Sequence, residues 1–118
     1  MKVTRIYAGK DGKSHFEDID VPLKDSDLMP HRGVSSTMKA TGMFFSLTRG
    51  DWFMDFHKGP RKQYILILEG QVDVGIGDGT VRRFKAGDVI SIEDTTGQGH
   101  STRSVNGQPL KEVFVPME

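Results

Sequence analysis

The sequence predicts an all-β domain, a sandwich or barrel with no helix. Two observations carry that prediction. Fourteen glycines and five prolines in 118 residues break the chain at short intervals. The segments between them alternate apolar and polar residues, and no window sustains apolar residues at i, i+3, i+4 and i+7. The length suits one domain, residues 1–118, with a core that needs no disulfide or structural metal.

Ten strands are expected. Residues 2–7 alternate and turn at Asp11-Gly12; residues 15–21 return. Residues 22–41, with Pro30 and Gly33 and few apolar side chains, read as a long loop or an arm across the body. Residues 42–48 place Met43, Phe45 and Leu47 on one face. Residues 51–57 place Trp52, Met54 and Phe56 on one face and Phe53, Asp55 and His57 on the other, by period two. Residues 63–68 are apolar on both sides, as a central strand is. Residues 71–76 and 80–84 flank Gly77-Asp78-Gly79, a hairpin signal. Residues 89–92, 100–104 and 111–115 complete the set, the last with Val113 and Val115 on one face.

Composition narrows the function classes. Sixteen basic residues balance sixteen acidic ones, so no long-range field gathers nucleic acid or anionic membrane, and neither partner is expected. The absence of cysteine excludes disulfides, zinc–thiolate sites and thiol nucleophiles. The first residues lack the apolar stretch of a signal peptide, and the longest apolar run, residues 64–68, is too short to span a membrane. A cytoplasmic protein is expected.

The chemistry-bearing residues cluster around HKGPRKQYILILEG, residues 57–70. His57 precedes a Gly59-Pro60 turn, Gln63 opens the central strand on its interior face, and His100 follows the polar loop of residues 93–99. An interior amide must be hydrogen-bonded, and His57 or His100 is the expected partner of Gln63. Arg61 offers a fork for a carboxylate. Asp94, Thr95 and Thr96 offer an acid and two hydroxyls beside His100, or else cap a turn. His15 and His31 read as surface residues.

Residues 57–70 resemble the first cupin motif, His-x-His, then Glu, then six residues to Gly. His57 stands at the first histidine, Gly59 at the second, Gln63 at the glutamate and Gly70 at the closing glycine. The run from Gly87 to Ile92, a loop without the usual proline, and His100 resemble the second motif. With KDGKSHFED near the start, nearly the whole chain is similar to small single-domain bacterial cupins. The resemblance implies a double-stranded β-helix, the cupin jelly-roll barrel. It also implies a metal held by three imidazoles and a carboxylate. Here the candidate ligands are His57, Gln63 and His100, for one divalent ion (Mn, Fe, Ni or Zn) or for none. Asp94 or Glu93 could restore the missing carboxylate, as could Asp55.

The expected occupant is a small oxygenated or anionic molecule. It is bound by His57, Arg61, Gln63 and Thr95, with Asp94 and His100 as catalytic candidates. A metal-assisted isomerase or lyase and a metal-free, non-catalytic binding protein both remain open. The stripe of Trp52, Met54 and Phe56 is either core or the contact of a homodimer.

Overall fold

The computed structural model describes all residues, Met1–Glu118, as twelve strands. In order these are β1 (Lys2–Ala8), β2 (Ser14–Asp20), β3 (Lys24–Asp25), β4 (Gly33–Val34), β5 (Phe44–Thr48), β6 (Phe53–His57), β7 (Gln63–Glu69), β8 (Gln71–Gly75), β9 (Val81–Lys85), β10 (Val89–Glu93), β11 (His100–Ser104) and β12 (Leu110–Pro116). The ten expected strands are present. The two additional ones are two-residue strands inside the segment read as a loop.

A six-stranded sheet runs β2-β1-β10-β7-β12-β5 and faces a four-stranded sheet, β6-β11-β8-β9. Apolar side chains meet between them because the strands alternate. Ile6, Ile65, Ile67, Ile90 and Ile92 come from the larger sheet, and Val72, Val74 and Phe84 from the smaller. The central position expected of residues 63–68 is confirmed: β7 lies between β10 and β12. The Asp78-Gly79 hairpin forms as expected, with Ile76 and Thr80 hydrogen-bonded at 3.0 Å.

The arm pairs with itself, β3 against β4, and nearly all of it is exposed. It is anchored where it joins the body. Val21 N–H donates to the Met1 carbonyl, and Thr41 N–H donates to the Pro116 carbonyl.

Two sets of apolar residues share a face as expected, and in each case it is the outer face. Met43, just before β5, and Phe45 and Leu47 on it are exposed, Phe45 by 75%. The inward residues are Ser46 and Thr48. On β12 the inward set is Leu110, Glu112 and Phe114. Both placements have one cause. The outer face of this sheet is itself apolar, so hydrophobicity alone does not mark its interior.

Candidate functional site

A cavity of about 360 Å³ lies between the two sheets. Ile6, Ile65, Val72, Val74, Ile90 and Ile92 supply much of its wall. A mostly apolar pocket with a few polar groups is the usual form of a small-molecule site, and this one lies at the small end of the range.

One end of the cavity is built by a β-bulge. His57 is the cross-strand partner of His100, while Met54 is the partner of Thr102. Three steps along β6 therefore match two along β11, so an extra residue sits at Asp55-Phe56. The insertion turns His57 onto the face of Trp52 and Met54, and all three line the cavity. The side expected for His57 by alternation is thus corrected. The stripe of Trp52, Met54 and Phe56 does not exist as one face, since bulges interrupt period two, most often on edge strands such as β6. The two imidazoles lie 4.6 Å apart between ring centroids, inclined at 59°.

Gly99 makes this approach possible. It has φ of +80°, and a Cβ there would collide with the His57 carbonyl. Any other residue would push β11 away from β6 just where the histidines meet.

Each imidazole is held by its Nδ1. His57 Nδ1 lies 2.8 Å from the Asp55 carbonyl, and His100 Nδ1 lies 2.6 Å from Asp94 Oδ2. Both partners are acceptors, so each Nδ1 donates, and in the neutral ring the lone pair is on Nε2. Asp94 is fully buried and also accepts from Ser14 Oγ at 2.7 Å. It sits behind His100 and does not line the cavity.

The remaining expected site residues divide. Gln63 lines the cavity and is 4% exposed. Its Oε1 accepts from Arg61 Nη1 at 3.1 Å, so its partner is Arg61 and neither histidine. Arg61 itself is exposed and outside the cavity wall. Thr95 is exposed on the loop before His100 and likewise does not reach the cavity. The cavity wall therefore holds His57, Gln63 and His100; Asp94 and Arg61 reach it only through His100 and Gln63, and Thr95 stays outside.

Glu112 was not among the expected site residues. It enters the cavity from β12, is 9% exposed and makes no hydrogen bond or ion pair. Burial pushes its carboxyl up to about 7. A signal was available in the alternation Leu110-x-Glu112-x-Phe114, which sets one carboxylate between two apolar neighbours.

The donor set does not fit the metal centre that the fold implies. Gly59 stands where a second histidine would, and a Cβ at that position would meet Ile92 Cγ2 at 2.5 Å. Gly59 N–H also donates to the Asp94 carbonyl at 2.9 Å, which holds the backbone down against β10. A larger residue there would have to displace the Ile92 side chain. At the glutamate position Gln63 carries no charge, and its oxygen already accepts from the Arg61 guanidinium, a fixed positive charge. No three His, Cys, Asp or Glu residues are placed to hold an ion.

No family model and no curated protein matches this sequence. Solved structures do match. A cupin 2 conserved barrel domain protein from Salinispora arenicola is 18% identical over 81% of this chain and 76% of that one, with a TM-score of 0.53. The fold is that of the cupins. A conserved protein with a double-stranded β-helix domain from Klebsiella pneumoniae is 20% identical over 79% and 80% of the two chains, with a TM-score of 0.50. A cupin 2 conserved barrel domain protein from Leptotrichia buccalis matches all of this chain with 41% of its own length, at 13% identity and a TM-score of 0.51. These likenesses bear out the expected double-stranded β-helix. No helix is long and apolar enough to cross a membrane.

Proposed function

We propose that this cupin-fold chain binds a small, largely apolar, oxygenated molecule in the cavity between its sheets, without a metal ion. The observation that carries the reading is the pair of imidazoles at one end of an apolar cavity, each fixed through Nδ1 and each with a free Nε2 acceptor. Two oriented imidazoles in a mostly apolar wall, each accepting through Nε2 when neutral, suit a hydroxyl donor on the occupant. Gln63, whose amide nitrogen has no protein partner, adds a donor beside them. An anionic occupant is less well served, because no Lys or Arg side chain lines the cavity.

Trp52 is the one tryptophan and lines the cavity, so its emission reports occupancy. Benzyl alcohol is expected to shift that emission and raise the unfolding temperature, and His100→Ala is expected to weaken both effects. No response to benzyl alcohol, or stoichiometric metal in protein purified without chelator and lost in His100→Ala, would overturn this reading.

The partner chain that fits is a second copy. β5 is an edge strand, with one side unpaired and with Met43, Phe45 and Leu47 exposed on its outer face. An apolar face beside an open edge invites pairing of like with like. Sedimentation velocity is expected to give a dimer that Phe45→Lys converts to monomer. A wild-type monomer at tens of micromolar would sink the dimer.

A further inference from the structure

The histidines and Gln63 stand at one end of the cavity, and Glu112 stands at the other. On β7, Gln63 pairs with Pro116 and Ile67 pairs with Glu112. Four residues of strand separate those two levels, about 13 Å. The same register brings Trp52 to the Glu112 end. Trp52 is hydrogen-bonded to Ser104, Ser104 pairs with Val72, and Val72 follows the turn that Ile67 precedes.

Glu112 is buried and unpartnered. Its neighbour across β5 is Ser46 and across β7 is Ile67, neither of them charged. Lys111 points to the opposite face and pairs with Glu69 at 3.0 Å. The only other titratable groups lining the cavity are His57 and His100. A carboxyl group left alone in an apolar wall is costly, and such a group calls for an explanation.

The sign of the surroundings constrains what would satisfy it. With no Lys or Arg in the wall, an anion finds no counter-charge. The Glu112 carboxylate accepts hydrogen bonds, and the unpaired donors of the wall are Trp52 Nε1 and the Gln63 amide nitrogen, both uncharged. An ammonium group is a donor with no lone pair, and Trp52 lines the same cavity. We infer that the molecule held in this cavity carries a protonated amine, seated on Glu112 with Trp52 beside it.

This inference rests on the cavity being a binding site and adds the second functional group of the occupant. It also has a proton consequence. Burial holds the Glu112 proton up to about pH 7, so an arriving ammonium group displaces that proton to solvent. Amine affinity should therefore fall as the pH drops below 7, with His57 and His100 as the other groups whose titration must be separated by substitution.

Benzylamine, benzyl alcohol and benzoate share a ring and differ in the end group. Titration of Trp52 emission with each, at pH 8, tests the inference. Benzylamine is expected to bind about ten- to a hundredfold tighter than benzyl alcohol, the ratio of a charge-assisted hydrogen bond. In Glu112→Gln that preference should vanish. In His100→Ala it should persist. Binding of benzyl alcohol or benzoate as tight as that of benzylamine would overturn the amine and leave the binding cavity standing. Failure of all three to alter Trp52 emission or the unfolding temperature would overturn both.

Discussion

At the histidine end of the cavity both imidazoles are tied down through Nδ1, one to a backbone carbonyl and one to a buried carboxylate. At the opposite end Glu112 has no partner at all. The contrast separates two ways in which a protein treats a buried polar group. Asp94 and His100 are positioned by each other and by Ser14, so that end is preorganised whether or not anything is bound. Glu112 is held only by the strand it grows from, and its burial is a standing cost to the fold.

Removing a carboxylate should therefore have opposite effects at the two ends. Asp94→Ala removes the buried acceptor of both His100 and Ser14, and urea unfolding is expected to show a loss of about 1–3 kcal/mol for each donor left unpaired. Glu112→Gln is expected to gain stability instead. The folded chain holds the Glu112 proton up to about 7, against a usual value of 4.5, so folding favours the protonated form. The penalty is absent below pH 4.5, grows as the pH rises and is complete above 7. Unfolding at pH 8 should show a gain of up to about 3 kcal/mol that disappears at acid pH. Equal effects of Glu112→Gln at both pH values would erase the contrast.

Smaller changes sharpen it. Gly59→Ala drives a methyl group against Ile92 Cγ2, and calorimetry is expected to show a loss of about 1–3 kcal/mol for overpacking the histidine end. Arg61→Ala removes one hydrogen bond from Gln63 at an exposed rim, and a loss of about 1 kcal/mol or less is expected by urea unfolding.

Much of this architecture was legible before the structure. The Gly-rich punctuation, the apolar run of β7 and the Asp78-Gly79 hairpin are local signals, and local signals are what a sequence displays. The meeting of His57, Gln63 and His100 followed from motif spacing. Glu112 did not follow. Val113 and Val115 look like a buried pair, and they are well covered on the outer face of the sheet. Which face of β12 looks inward depends on its pairing with β5 and β7, a relation between distant segments. Thr95 and Asp94 looked alike, as polar residues of one loop. The chain path then buried Asp94 behind His100 and left Thr95 in solvent.

The bulge in β6 makes the histidine pair a matter of arithmetic. His57 faces His100 because three residues of one strand are matched to two of the other. Deleting Phe56 would set the imidazole two residues after Met54, the regular spacing for one face, and so would keep the pair while removing the bulge. The bulge is thus what lets a chain with one residue more than regular pairing needs still bring its two imidazoles together.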